Sequence, residues 1–268
     1  MQPRFVDLHT HTTASDGTDA PRDLIRRAAS LKLAAVAVTD HDTVSGLDEA
    51  EIHLLGLWLP RHSAPLDAEL SRLRGHREER NLKILDRLRS IGINIGYQEV
   101  LDEAGGESVG RPHIARVLQK RGIVSNFAQA FELYLGYYGA AYVPRTLLTP
   151  EEGVSLMADL GAVVSFAHPM LIRCPPSWFD EIIPRLKEAG LGAIEAYHSE
   201  HSARDERFCV ELAARYGLGL SGGSDYHGMA KPGVELGRGK GGLRVTVALL
   251  DALKARRKRP VDDAPEVL

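Results

Sequence analysis

The sequence predicts a mixed α/β fold, a β/α barrel interrupted by a helical insertion. Short apolar runs typical of strands alternate with segments of helical periodicity. Histidine and aspartate residues lie at or just beyond most of these runs, as at the carboxyl-terminal face of a barrel. The middle of the chain shows helical patterns and no convincing strand. We therefore divide the chain into a first barrel part (1–64), a helical insertion (65–142) and a second barrel part (143–268).

Six apolar runs predict the strands. These runs cover residues 5–8, 34–39, 52–59, 162–167, 193–197 and 218–221. Helical periodicity predicts the helices of the barrel parts at 20–31, 150–159, 178–189 and 203–216. Thr149 before Pro150 and two acidic residues is a typical N-cap, so it fixes the start of one helix. Alternating strands and helices predict a parallel sheet.

The insertion is predicted from three helical segments. Residues 67–90 are rich in charge and carry leucines at near-helical spacing, although Gly75 interrupts them, which predicts one long or broken helix. Residues 112–121 and 127–134 predict two more. About 80 residues is the size of a small domain.

Composition excludes several classes of protein. The 268 residues are 44% hydrophobic, enough for a sizeable core, and a net charge of −3 argues against a protein that coats nucleic acid. Cys174 and Cys209 lack the spacing of a zinc ribbon or redox site and are expected to be unpaired thiols. There is no apolar run of membrane-spanning length and no signal-peptide pattern, so we expect a cytoplasmic protein.

The start of the chain carries the clearest chemical signal. His9 and His11 stand at i and i+2 of a strand, so both imidazoles point to one side. Asp16 follows in the next loop, and His41 follows the second strand. Neutral imidazoles that converge with a carboxylate predict a metal site, and mixed nitrogen and oxygen ligands favour zinc, manganese or iron over calcium or magnesium.

Four further residues extend this set. His53 lies in a His-Leu-Leu-Gly stretch, His168 lies in Ala-His-Pro after an apolar strand, and Asp225 and His227 lie in Ser-Asp-Tyr-His after the last strand. A single histidine or aspartate at a strand end is more often a core residue or a helix cap. Six histidines and two aspartates in such positions favour the ligand interpretation for all eight.

The joint pattern resembles the PHP family of metal-dependent phosphoesterases, whose motifs are HxH, DH, HxLG, AHP and SDxH. The resemblance implies a distorted seven-stranded β/α barrel with two or three divalent ions, commonly manganese, iron or zinc. It implies three sets of ligands, which are His9, His11 and Asp225; His53 and His168; and Asp16, His41 and His227. Arg111 and His113 match the branch with a helical insertion that acts on nucleotide 3′,5′-bisphosphates and the 5′ ends of short RNAs.

The chain departs from the family at one point. Relatives carry, between the DH and HxLG motifs, a further strand and a Gly-x-Glu-x-Ser segment whose Glu bridges two metals. Only 12 residues lead from His41 to His53 here, too few for a crossover helix and a strand. The segment is either deleted from the protein or absent from this sequence; Glu51 is a candidate substitute, although a solvent-facing acid is the simpler interpretation.

No motif of a covalent nucleophile is present, so we expect metal-activated hydroxide to attack phosphorus, with no catalytic side chain beyond the metal ligands. Arg111 and His113 open a helix whose positive end favours phosphate, which predicts a substrate clamp. Arg173, Arg145 and His198 are further candidates for substrate binding.

Three functions stay open. The first is hydrolysis of phosphomonoesters in nucleotide 3′,5′-bisphosphates or short RNA 5′ ends. The second is histidinol-phosphate phosphatase activity, another activity of the family. The third is a PHP-derived module that binds metal or a partner without turnover. The expected partner is a phosphorylated small molecule or short oligonucleotide, with neither a membrane nor long duplex nucleic acid.

Overall fold

The computed structural model describes residues 4–40, 52–60, 63–105, 109–145, 148–172 and 174–257. These residues divide into two compact units, the first containing residues 4–40, 52–60, 63, 148–172 and 174–257 and the second containing residues 64–105 and 109–145. His41 and Glu51, and also Arg173, lie outside the described residues, so the structure carries no information on these three predictions.

The described residues form strands and helices in the following order. The strands are β1 (Val6–Thr10), β2 (Ala35–Val38), β3 (Leu54–Leu57), β4 (Val163–Phe166), β5 (Leu191–His198) and β6 (Gly219–Gly223). The helices are α1 (Pro21–Ser30), α2 (Ala64–Ser90), α3 (Tyr97–Ala104), α4 (Arg111–Lys120), α5 (Phe127–Ala130), α6 (Pro150–Asp159), α7 (Pro176–Ala189), α8 (Ala203–Tyr216) and α9 (Val247–Lys254).

The strands of the first unit form two small sheets. β1 and β2 pair in parallel, and the second sheet has the order β3-β4-β5-β6. Backbone hydrogen bonds join the sheets just beyond β1 and β6, from Asp225 N to His9 O at 2.9 Å and from His11 N to Tyr226 O at 2.8 Å. The predicted α/β class is confirmed. In the described part of the chain, the sheets do not close into a seven-stranded barrel.

Strand β3 corrects the prediction of an all-parallel sheet. It runs antiparallel to β4, with Leu54 opposite Phe166 and Leu57 opposite Val163. Its amino-terminal end therefore lies beside the carboxyl-terminal end of β4, and Ala167 N donates a 3.0 Å hydrogen bond to His53 O. His53, which precedes β3, therefore lies at the same edge of the sheet as the residues that follow β4.

Both faces of the larger sheet are covered in the first unit. Phe166 and Ile194 belong to an apolar cluster with residues of α6, α7 and α8. Val163 and Ala193, from the same two strands, belong to a second cluster with Val6 of β1. Strands buried on both faces are typical of parallel α/β sheets, which explains why they read as continuous apolar runs in the sequence.

Local signals set the ends of the barrel helices. Thr149 Oγ1 accepts from Glu152 N at 3.2 Å and Glu152 Oε2 accepts from Thr149 N at 2.8 Å, which forms the predicted cap of α6. Ser202 caps α8 in the same way. Gly217 ends α8 in the left-handed conformation, with φ of 65°, which a glycine adopts without steric cost.

The second unit is helical and has its own core. α2 is one continuous helix of 27 residues that passes through Gly75 without a break. α3 was not predicted, and α5 continues directly into a turn of π-helix at Phe131–Leu135. Leu88, Ile114, Leu118 and Leu135 are buried together in this unit. In the part of the chain that the structure describes, no helix has both the length and the apolar character needed to span a membrane.

Candidate metal centre

The end of β1 presents two histidines side by side. His9 and His11 are both buried, and their Nε2 atoms lie 3.1 Å apart. His9 lies on β1 and His11 directly follows it, at the edge where the backbone beyond β6 pairs with this part of the chain. Gly223 permits this pairing, because a Cβ at that position would lie 2.3 Å from His9 Cβ.

A first group of possible ligands contains His9, His198 and Asp225, all buried. Each of the three offers one ligand atom, and these atoms lie within 4.8 Å of one another. Asp225 Oδ1 lies 3.4 Å from His9 Nε2, and Asp225 Oδ2 lies 3.4 Å from His198 Nε2. The structure therefore places His198 beside two predicted metal ligands, whereas the sequence predicted a contact with substrate.

A second group contains His11, Asp16 and His227. The rings of His11 and His227 stack with centroids 4.1 Å apart, and Asp16 Oδ1 lies 3.1 Å from His227 Nε2. Asp225 Oδ1 is also close to this group, at 3.3 Å from His11 Nε2 and 3.5 Å from His227 Nδ1. One carboxylate therefore contacts both groups.

His53 and His168 lie next to each other at the same edge, with ring centroids 4.9 Å apart. The His168 ring also stacks with that of His9 at 5.6 Å. Nδ1 of His168 is buried and has no hydrogen-bond partner among the described residues. A buried nitrogen without a partner is costly unless something else binds it, as a metal ion would.

Two of these residues have unusual backbone conformations. Asp225 has φ of 55° and His168 has φ of 27°, both in the left-handed region. Such conformations are costly for residues other than glycine and are concentrated at functional sites. Asp225 lies two residues after the end of β6, and its side chain contacts His9 on β1.

Glu195 belongs to the site, although it lies in none of the sequence motifs. It is fully buried on β5, with Oε1 3.0 Å from His9 Nδ1 and Oε2 accepting a 2.7 Å hydrogen bond from His168 N. The register of β5 against β6 shifts between Glu195 and Tyr197. Because this shift reverses the alternation of side chains, Glu195 and His198 reach the same cluster despite their odd spacing.

Burial and close charges shift the pKa values of the cluster. Burial disfavours the charged form of Glu195, but the attraction of His9 outweighs it and lowers the pKa of Glu195 to about 2. Burial likewise opposes the charge on His9, yet Glu195 raises the pKa of His9 to about 9. Burial lowers the pKa of His168 to about 3, so this imidazole is neutral near pH 7. A carboxylate and a neutral imidazole are both competent metal ligands.

The predicted substrate residues of the insertion have partners within the second unit. Arg111 Nη1 donates to Leu135 O at 3.0 Å, and its guanidinium lies 5.7 Å from the centre of the Phe131 ring. His113 Nδ1 accepts from Gly110 N at 3.1 Å. Both side chains are mostly buried, and Arg145 lies half-buried in the same unit. Their binding of phosphate stays a prediction.

The cluster as a whole fits divalent metal ions. Imidazole nitrogens and carboxylate oxygens are the donors that zinc, manganese and iron take in proteins. Close nitrogens such as Nε2 of His9 and His11 need a shared cation or proton between them, and the unpaired Nδ1 of His168 points to the same need. Glu195 on His9 Nδ1 is the outer partner that metal-bound histidines usually have.

Comparisons with known proteins agree with this chemistry. The model of the PHP domain matches residues 7–105. A 5′-3′ exoribonuclease of Haemophilus influenzae is 31% identical over 245 residues, covering 82% of this chain and 89% of that protein. A 3′,5′-nucleoside bisphosphate phosphatase of Chromobacterium violaceum is 28% identical over 96% of this chain and 99% of that protein. The crystal structure of a candidate metal-dependent phosphoesterase from Bifidobacterium adolescentis superimposes with a TM-score of 0.74 at 26% identity. The superposition covers 98% of this chain and 99% of that chain.

Proposed function

Because this chain belongs to the PHP family and is a metal-dependent phosphoesterase, we propose that it hydrolyses phosphomonoesters of nucleotides, namely 3′,5′-bisphosphates or the 5′ ends of short RNAs. The observation that carries the proposal is the pair of ligand groups that meet at Asp225. Two similar proteins, the exoribonuclease and the bisphosphate phosphatase, support the choice of substrate class.

We assign one divalent ion to His9, His198 and Asp225, and a second to His11, Asp16 and His227. His53 and His168 are candidates for a third ion. Manganese, iron or zinc suit these donors. Bound ions would lower the pKa of a coordinated water and neutralise the phosphate oxygens of the substrate.

The side chains of the chain itself prepare this site. Asp225 uses Oδ1 towards both ligand groups, while its Oδ2 pairs with Lys231 Nζ at 2.6 Å. Glu200, on the loop after β5, also contacts Lys231 Nζ at 2.8 Å. The positive charge of Lys231 offsets the negative charges of Asp225 and Glu200, so an incoming phosphate meets less net negative charge.

The proposal also includes a phosphate clamp and a closed barrel. Arg111 and His113, at the start of α4, are the proposed clamp for a phosphate, since guanidinium binds phosphate bidentately. A seven-stranded barrel is the family architecture that we propose for the first unit. Its two sheets are already linked beyond β1 and β6, which supports this architecture.

Hydrolysis of adenosine 3′,5′-bisphosphate by manganese-loaded protein tests the proposal. We expect phosphate release that is lost with a chelator and restored by manganese. Asp225→Asn should lower kcat/KM by at least about 100-fold, because it removes the carboxylate charge shared by both groups. Asp180→Asn is the matched control, because Asp180 pairs with Arg215 on the exposed surface.

Parallel assays separate the alternatives. Faster turnover of histidinol phosphate than of the bisphosphate or a 5′-phosphorylated RNA trinucleotide would favour the second candidate function. Stoichiometric manganese binding without hydrolysis of any of the three substrates would contradict the proposed activity and support a binding module. An unchanged KM for the bisphosphate in Arg111→Ala would show that the clamp assignment is wrong.

A further inference from the structure

Glu195 is a buried carboxylate that joins two parts of the proposed metal centre. It has no exposed surface, and its oxygens lie 3.0 and 3.2 Å from His9 Nδ1. Oε2 also accepts the backbone N–H of His168 at 2.7 Å. One side chain on β5 therefore contacts both His9 of β1 and His168, two residues beyond β4.

This arrangement is costly if it serves only packing. Burying a charged carboxylate carries a large desolvation penalty, and an apolar side chain of similar volume often stabilises a core as well or better. Its neighbours on β5, Ile194 and Ala196, are fully buried and apolar. A charge at this one position therefore calls for a role that an apolar residue cannot fill.

The geometry defines that role. An ionised carboxylate only accepts hydrogen bonds, so Nδ1 of His9 must carry the proton that it shares with Glu195. In the neutral form that binds a metal, the lone pair is then left on Nε2, which lies 3.4 Å from Asp225 Oδ1 and 3.1 Å from His11 Nε2. His9 is thereby held in the one tautomer that directs a ligand nitrogen at the cluster.

The hydrogen bond from His168 N to Glu195 Oε2 holds the backbone of His168. The backbone of His168 is in the left-handed region, with φ of 27°, a conformation that needs support from its surroundings. Glu195 Oε2 provides that support by accepting the N–H of this same residue. The His168 ring lies stacked on that of His9, so both rings are oriented from one carboxylate.

We propose that Glu195 is the positioning residue of the metal centre, which fixes the tautomer of His9 and the backbone of His168 so that both imidazoles face the metals. The proposal rests on the metal dependence of the proposed function but not on its substrate. Its direct consequence is metal affinity, which can be measured without any turnover.

Glu195→Gln tests the proposal by calorimetric titration of metal-free protein with manganese. The neutral amide oxygen accepts more weakly than a carboxylate oxygen, and the NH₂ group replaces one of the two acceptors with a donor. We expect the affinity to fall about 10- to 100-fold, as is usual when the outer partner of a ligand histidine is lost. Activity should recover when the variant is assayed at saturating manganese.

Ser221→Ala is the matched control. Ser221 is fully buried on β6, opposite Glu195 in the strand register, and its hydroxyl bonds to Ser165 Oγ at 2.6 Å. This variant should bind manganese like the wild type. Wild-type affinity in Glu195→Gln, with affinity lost in His9→Ala, would overturn the proposal. A bisphosphate that is not hydrolysed would count against the proposed substrate and leave this result unaffected.

A measurement on the wild type keeps the proposal testable even if Glu195→Gln does not fold. In zinc-loaded protein, the ¹⁵N spectrum of the imidazoles should show a proton on Nδ1 of His9 and none on Nε2. His9 protonated on Nε2 would overturn the proposal, because Glu195 would then have no donor on that ring.

Discussion

Gly223→Ala offers a sharp test of how the two sheets create the metal centre. The added Cβ would lie 2.3 Å from His9 Cβ and 2.4 Å from His9 N. Carbon atoms pack favourably only from about 3.5 Å, so β1 and β6 must separate by about 1 Å. The movement displaces His9 itself, and it stretches the 2.9 Å hydrogen bond from Asp225 N to His9 O.

The expected cost combines two terms. Overpacking a dense interior costs about 1 to 3 kcal/mol, and weakening a buried hydrogen bond costs about 1 kcal/mol. A loss of about 2 to 4 kcal/mol in a chain of this length lowers Tm by about 5 to 15 °C. We also expect manganese to bind at least about 10-fold more weakly, because His9 and Asp225 no longer converge.

Thermal unfolding and manganese titration of the same preparation measure both effects. Gly75→Ala is the matched control, because a Cβ at that position meets no atom within 4 Å. Gly75 lies inside α2, so this change should raise the free energy of unfolding by about 0.5 to 1 kcal/mol and leave manganese affinity unchanged. A Gly223→Ala protein with the Tm and affinity of the wild type would refute the close approach of β1 and β6.

Four further outcomes are expected. Thr149→Ala should lower the free energy of unfolding by about 1 kcal/mol, because it removes the cap on Glu152 N, and urea titration measures the loss. Burial raises the pKa of the Cys209 thiol to about 12. The unfolded thiol loses its proton near pH 9, so the folded protein should lose up to about 1.4 kcal/mol of stability per pH unit above that pH, and Cys209→Ala should reduce this slope. Iodoacetamide at pH 8 should modify native Cys209 far more slowly than the thiol of the urea-unfolded chain. Manganese at 100 times its Kd should stabilise the protein by about 2.7 kcal/mol for each occupied site, an effect that a chelator removes and that calorimetry detects.

The sequence predicts the strands and the β1 histidines well because both depend on local rules. Period-2 alternation places His9 and His11 together, and the Thr149 cap appears at the predicted position. The direction of β3 was not predictable in this way, since antiparallel pairing depends on how the chain returns after the insertion. α3 was missed because it is only eight residues long, and its start at Gly96 lacks a side-chain cap.

Glu195 shows why part of the site lay beyond sequence reasoning. Its spacing of three from His198 does not fit one face of a regular strand, so alternation predicts that the two residues point apart. The register shift between Glu195 and Tyr197 reverses that alternation, and it arises from pairing with β6 rather than from residues near Glu195 in sequence. A period-2 pattern therefore does not predict which side chains share a face where the strand register shifts.

The position of Asp225 explains how two ligand groups can act as one site. Its Oδ1 lies within 3.5 Å of nitrogens from both groups, so its negative charge acts on both. Among the residues that the structure describes, Asp225 is the carboxylate that contacts both groups. Its backbone is left-handed, with φ of 55°, two residues after the end of β6. The strain at this residue and the close approach at Gly223 are thus two parts of one arrangement, which brings ligands from distant strands to a single edge.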